Sequence, residues 1–294
     1  MITATSLDSL RAQVRGWKQA GQRIALVPTM GNLHAGHYSL IALARRHADR
    51  VVASVFVNPT QFGPNEDFDR YPRTPEADAA GLDDAGGDLL WLPKVDTMYP
   101  LGVGNAVTVG VPGIAGVLDG AHRPGHFDGV ATVVARLFNQ VLPDVAIFGR
   151  KDYQQLAVIR HLVRDLAFPV EIVGAEIKRE NDGLAMSSRN QYLSPAERET
   201  APVIHRTLSA MRDALRAGLA REEVEANAAR ALALAGFAPD YAVIRTPEFR
   251  APADGEPGPR VALIAARLGA TRLIDNLEFQ LEPHAEVGAG GIGG

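Results

Sequence analysis

The chain has 294 residues, 46% of them hydrophobic and 22% charged, with a formal net charge of −4 and no cysteine. That size suits one large or two moderate domains, and the near-neutral charge offers no basic stripe for gripping a nucleic-acid backbone. Without cysteine there is no disulfide framework, thiolate zinc site or cysteine nucleophile, and no apolar run nears the roughly 20 residues that cross a bilayer.

The first residues lack the basic-then-apolar layout of a signal peptide, so the expected compartment is the cytoplasm. Leu7, Leu10, Val14 and Trp17 recur at helical spacing with Ser6 or Asp8 able to cap, which predicts a first helix ended by Gly21. The apolar run 24–27 predicts a short buried strand. Leu40, Ile41, Leu43 and Ala44 predict a helix after it, with Arg45 and Arg46 off the apolar stripe. The run 51–57 is continuous and rich in β-branched residues, as a central parallel strand requires, and Asn58-Pro59 stops it. Residues 61–74, rich in Pro, Gly, Asn and Asp, read as a loop, followed by a helix over 75–85 and a strand over 88–92. Such alternation implies an open parallel sheet whose ligands bind beyond the carboxyl ends of its strands.

Residues 99–123 are dense in glycine and proline and read as loop over the active-site mouth, with a single strand at 106–111. A helix over 130–142, a strand over 145–148, a helix over 153–168 and a last parallel strand over 170–173 follow. Beyond a hinge near 175–182 the pattern becomes two helices, 195–217 and 221–235, and three strand-like runs, 240–245, 260–267 and 271–275, with a turn at 250–259. The expected fold class is therefore α/β: a Rossmann-like open parallel sheet over 1–176 and a smaller C-terminal α+β lid domain over 177–282. The tail 283–294 ends Gly-Ala-Gly-Gly-Ile-Gly-Gly, too poor in apolar surface to offset its ordering entropy, and is expected to be disordered.

Chemistry concentrates at Pro28-Thr29-Met30-Gly31-Asn32-Leu33-His34-Ala35-Gly36-His37, where a strand hands over to a helix. A helix N-terminus carries unpaired N–H groups and partial positive charge, so a glycine-bearing turn there is a natural phosphate cradle. His34 and His37 add donors three residues apart. Only four of the 30 basic residues are lysine, and Lys151 lies just past the strand 145–148, where a parallel sheet presents groups to ligand. Read singly, each of these would be an ordinary core or surface residue. A zinc reading from His34, His37, His122 and His126 lacks the H-E-x-x-H spacing, and no protein metal site is expected.

His34-Ala35-Gly36-His37 resembles the HIGH signature of the nucleotidyltransferase superfamily, and the preceding Pro28-Thr29-Met30-Gly31 narrows the resemblance to the pantothenate synthetase (pantoate–β-alanine ligase) family. The likeness returns at Phe56-Val57-Asn58-Pro59-Thr60-Gln61-Phe62, Tyr71-Pro72-Arg73-Thr74, Gly149-Arg150-Lys151-Asp152-Tyr153-Gln154-Gln155 and Asp182-Gly183-Leu184-Ala185-Met186-Ser187-Ser188-Arg189-Asn190. The resemblance implies ATP binding by Met30, Gly31, Asn32, Leu33, His34, Ala35, Gly36 and His37, by Gly149, Arg150, Lys151 and Asp152, by the backbone at Lys178, and by Met186, Ser187, Ser188 and Arg189 as a KMSKS-type loop. It implies pantoate binding by Gln61 and Gln155, β-alanine binding at Gln61, and catalytic work by His34, His37 and Lys151, with Arg123 near the phosphates.

The same resemblance implies an ATP-dependent condensation of (R)-pantoate with β-alanine through a pantoyl adenylate, releasing AMP and pyrophosphate. It further implies ATP with Mg2+ as substrate complex, no tightly bound prosthetic group, no nucleic-acid or membrane partner, and a homodimer. Where the family carries an acidic pair linked to magnesium, this chain has Ala77 and Asp78, so one carboxylate remains. A rival reading is an adenylyltransferase acting on a phosphate ester, against which Gln61 and Gln155 stand. A second is a regulatory nucleotide-binding module, against which His34, His37, Lys151 and 187–189 stand.

Overall fold

The computed structural model describes residues 1–64 and 66–283. The tail expected to be disordered thus lies, from 284 on, outside the described residues. Two compact units divide the described chain, Met1–Gln191 and the remainder from Tyr192.

The first unit holds six parallel strands: β1 (Ile2–Ala4), β2 (Ile24–Thr29), β3 (Arg50–Val55), β4 (Leu89–Trp91), β5 (Val145–Gly149) and β6 (Glu171–Ala175), in the spatial order β1-β4-β3-β2-β5-β6. From β2 the chain winds outward through β3 and β4, then returns to lay β5 on β2's other flank. The direction of winding therefore reverses between β2 and β5, and a crevice opens beyond their carboxyl ends.

Alternation along each strand feeds two cores. Ile24 and Leu26 of β2 join Val52, Trp91 and Phe148 on the face covered by the helices Leu7–Gln19, His126–Val141 and Tyr153–Asp165. Ala25 and Val27 join Val51, Ala53, Leu90 and Ile147 on the face covered by Ala35–Ala44 and Pro75–Asp84. Burial on both faces is why these strands read as unbroken apolar runs. Leu7–Gln19 begins at Ser6, whose hydroxyl accepts the Ser9 N–H at 3.2 Å.

In the first unit three differences from the sequence reading have physical causes. The strand Ile2–Ala4 is added at the sheet edge, paired in parallel with β4. Residues 106–111 form no strand: Val109 N–H donates to Thr132 Oγ1 at 2.8 Å instead of to a neighbouring strand, and Val107 is 74% exposed. The first compact unit runs past the boundary expected at 176, because residues 177–190 fold back on it. Arg179 bridges Ala185, Met186 N–H donates to Lys178 O at 2.9 Å, and Ser188 Oγ donates to Asn32 O at 3.0 Å.

In the second unit β7 (Phe237–Arg245), β8 (Gly258–Leu268) and β9 (Thr271–Leu281) form an antiparallel sheet in that order, packed by the helices Val203–Arg216 and Arg221–Leu234. The helix expected over 195–217 is two, Pro195–Thr200 and Val203–Arg216, because Pro202 has no N–H to continue the first.

Candidate active site

An open cleft of about 230 Å³ lies in the first unit beyond the ends of β2 and β5. From the β2 side it is lined by Met30, His34, Gly36 and His37 and, past the end of β3, by Gln61. The β5 side contributes Gly149, Lys151, Asp152 and Gln155, and the returning segment contributes Lys178, Met186, Ser187, Ser188 and Arg189. The structure thus brings together three stretches that are far apart in the sequence.

Five residues of the ATP set do not line the cleft: Gly31, Asn32, Leu33, Ala35 and Arg150. Arg150 turns to an ion pair with Glu176 at 3.0 Å, and Leu33 packs on the apolar core behind the turn. The backbone cradle expected here is closed internally. Gly31 N–H reaches Thr29 Oγ1 at 3.4 Å, while Asn32 and Leu33 N–H donate to the two oxygens of Asp78 at 2.9 and 2.8 Å. His34 N–H donates to His37 Nδ1 at 3.3 Å and Gly36 N–H to His34 Nδ1 at 3.1 Å. Side chains therefore satisfy the amides that a phosphate would otherwise meet.

Those last two bonds fix the chemistry of the imidazoles. Each Nδ1 accepts an N–H, so a neutral ring carries its proton on Nε2. Burial, then the charge of Lys151, lowers the pKa of His34 to about 4; burial, then His34 and Lys151, lowers that of His37 to about 3. Both rings are neutral at physiological pH, with Nε2–H as the donor left for a ligand. Their centroids are 4.1 Å apart. Gly36 permits the arrangement: a Cβ there would lie 2.8 Å from His34 Cε1 and 2.9 Å from its Nδ1.

Gln61 is held by residues that sequence reasoning passed over. Asn58, only 1% exposed, donates through Nδ2 to Gly129 O and to Gln61 Oε1, both at 3.1 Å. Its Oδ1 accepts from Tyr99 Oη at 2.6 Å and Thr60 Oγ1 at 3.0 Å. With Asn58's orientation so determined, Gln61 keeps its oxygen toward Asn58 and its Nε2 toward the Met30 sulfur, at 3.1 Å. Asn58 lay inside a quoted motif, but only its contact with Tyr99, far along the chain, reveals its role. Gln154, next to the expected Gln155, is buried and braces the segment 114–119, donating to Ile114 O and Val117 O and accepting from Asp119 N–H.

The arginines expected at phosphate are already engaged. Arg189 Nε and Nη2 meet Asp67 at 3.0 and 2.9 Å, and its guanidinium lies 5.7 Å from the Tyr71 ring centroid. Arg123 does not line the cleft; it grips both oxygens of Glu66 at 2.6 Å and donates to His126 Nε2 at 2.9 Å. His126 consequently carries its proton on Nδ1 and donates to Gln61 O at 2.8 Å, its pKa lowered to about 4 by burial and then by Arg123. Burial raises the Glu66 carboxyl, but the bonds and charge of Arg123 prevail and hold it at about 2.

Among known proteins, residues 2–278 match the family model of pantoate-beta-alanine ligase. The pantothenate synthetase of Xanthomonas oryzae pv. oryzae (strain MAFF 311018) is 68% identical over 277 residues, covering 94% of this chain and 99% of the relative. The crystal structure of pantothenate synthetase from Thermus thermophilus superposes with a TM-score of 0.88 at 50% identity, covering 94% of this chain and 99% of that one. A pantoate-beta-alanine ligase from Francisella tularensis, complexed with beta-gamma ATP and beta-alanine, gives a TM-score of 0.78 at 34% identity, over 94% of this chain and 97% of that one. With a family match over nearly its whole length and its signature residues gathered in one cleft, the chain belongs to the pantoate–β-alanine ligase family.

Proposed function

We infer that this chain condenses (R)-pantoate with β-alanine at the cost of ATP. The pantoate carboxylate attacks the α-phosphorus, the bond to pyrophosphate breaks, and pantoyl adenylate forms. The β-alanine amine then attacks the acyl carbon, AMP leaves with the bonding electron pair, and the amine proton passes to solvent. A carboxylate and an amine do not condense unaided in water, and a chain without cysteine has no thiol to carry the acyl group.

The observation that carries this reading is the pair of neutral imidazoles lining the same cleft as Lys151. Charge builds on the phosphoryl and leaving oxygens during adenylation, and donors fixed in advance stabilise it without reorganising. We assign His34 and His37 to donate through Nε2–H, and Lys151 to act as the cation beside them. Gln61 and Gln155 take pantoate, with β-alanine entering near Gln61. Ser187, Ser188 and Arg189 close on the triphosphate of MgATP. The family resemblance further supports a homodimer working in the cytoplasm.

Pantoate labelled with oxygen-18 in its carboxylate tests the order of chemistry. One label should emerge in AMP, and pyrophosphate should form without β-alanine in the first turnover. Label in inorganic phosphate, with ADP as product, would mean an acyl phosphate and would remove His34 and His37 from the α-phosphorus.

A further inference from the structure

We propose that Asp78 is a positioning residue of the adenylation step, clamping the turn that carries His34 and His37, and that it does not serve as a ligand for the magnesium of MgATP. The proposal rests on the ligase reading above for which step it affects, though the clamp itself is a matter of geometry.

The Asp78 side chain belongs to the helix Pro75–Asp84 yet is only 2% exposed, rare for a carboxylate and costly unless its oxygens are met. Three donors meet them. Oδ2 accepts Asn32 N–H, while Oδ1 accepts Leu33 N–H at 2.8 Å and Thr74 Oγ1 at 3.1 Å. Charge-assisted bonds of this kind are stronger than neutral ones, and two of the three end on adjacent backbone amides of the turn.

The turn needs such an anchor because its backbone is unusual. Gly31 has φ +86° and Asn32 φ +52°, so the chain leaves β2 through the left-handed region and the N–H groups of 32 and 33 have no strand to face. The fit is close: a Cβ on Gly31 would lie 2.9 Å from Asp78 Oδ2. One residue later the chain enters His34, the N-cap of Ala35–Ala44 and the acceptor of the Gly36 N–H. Fixing Asn32 and Leu33 therefore fixes where the imidazoles start. A magnesium ligand needs a free lone pair directed at the ion. This carboxylate is 2% exposed, with both oxygens turned onto donors of the turn and of Thr74, so it presents no open face to a hydrated ion.

The test compares Asp78→Asn, Asp78→Ala and Thr74→Val with the unaltered enzyme in single-turnover adenylation, each over a magnesium titration at fixed ATP. An amide at 78 keeps one acceptor and turns an NH2 toward an N–H. Asp78→Asn should therefore adenylate about 10- to 100-fold more slowly, the range seen when groups that orient a reacting ligand are removed. Thr74→Val should lose less, in the same direction. The magnesium midpoint should not move, and the second half-reaction, started from synthetic pantoyl adenylate, should keep its rate. Recovery of Asp78→Asn at high magnesium would make the residue a metal ligand and overturn the proposal, as would adenylation within about threefold of normal. Should the position-78 variants fail to fold, Thr74→Val decides: adenylation that is not slowed at all, or that recovers at high magnesium, overturns the proposal. If the unaltered enzyme makes no AMP, the ligase reading fails instead. The clamp is then judged by amide exchange at Asn32 and Leu33, which must quicken in Thr74→Val or the clamp is wrong too.

Discussion

In the turn at 30–37 the donors are set before any ligand arrives: backbone amides are satisfied by Thr29, Asp78 and the two imidazoles, and the imidazoles are neutral with one free N–H each. At Glu66 and Asp67 the opposite holds. Glu66 and Asp67 already hold Arg123 and Arg189, so a phosphate reaching Arg189 meets a guanidinium that is paired with a carboxylate. The first region is built so that nothing need move when charge develops. In the second the cations come already paired with carboxylates. On the proposed reading the difference sets two tasks apart: a preorganised set of neutral donors would govern the rate of phosphoryl chemistry, and pre-paired cations how readily nucleotide is taken up.

The largest expected effect falls on the rate side. Lys151→Ala should slow single-turnover adenylation by about 10²–10³-fold, the loss found on removing one fixed transition-state donor. The melting temperature should be nearly unchanged, since the residue lies past the end of β5. A slowing of less than about threefold would detach Lys151 from the preorganised set and leave the imidazoles to act alone.

The next concerns protonation. Both histidines titrate far below the ordinary imidazole value of 6.5, to about 4 and about 3. Their resonances, assigned through His34→Gln and His37→Gln, should therefore stay in the neutral form at about pH 5.5, where exposed histidines are mostly charged. The linked stability has a definite sign. The unfolded chain takes up protons below pH 6.5 that the folded turn refuses, so the contribution is whole above 6.5. It falls away as the pH drops toward about 3. A histidine in this pair that titrates near 6.5 would show that burial and Lys151 do not hold it neutral, and the contrast with the arginine segment would narrow.

How much of this was legible beforehand depends on sequence distance. β2, β3 and β5 announced themselves as continuous apolar runs because both faces are buried. The strand Ile2–Ala4 did not, since three residues with two of them exposed carry no periodicity, and only the parallel pairing with β4 creates them as a strand. Residues 106–111 misled in the other direction: their valines pack in part on the core, but no strand lies alongside. In the cleft, His34, His37 and Lys151 stood out by residue type beside a strand end, and Gln61 only through the family resemblance. The groups that hold them did not. Asp78 meets Asn32 across 46 positions, Tyr99 meets Asn58 across 41, and Asp67 meets Arg189 across 122. Nothing local in a sequence marks an aspartate that faces a distant amide, so Asp78 read as a relic of an acidic pair and Asp67 as loop polarity.

The smallest effect sharpens the comparison most, because its sign is diagnostic. Asp67→Asn removes the carboxylate that Arg189 holds through two nitrogens. Burial lowers the guanidinium's proton affinity, but the bonds and charge of Asp67 outweigh it and raise its pKa. Pairs with some exposure contribute up to about 1 kcal/mol, and the side chains here are 28% and 15% exposed. If triphosphate must displace Asp67, losing the carboxylate removes that opposition, and ATP should bind up to about fivefold more tightly, with about 1.4 kcal/mol corresponding to tenfold. The rate of adenylation at saturating ATP should change little, since the imidazoles and Lys151 are untouched. Weaker ATP binding would show instead that Asp67 stays on Arg189 and aims it at the phosphates. The Asp67–Arg189 pair would then be as preorganised as the turn at 30–37.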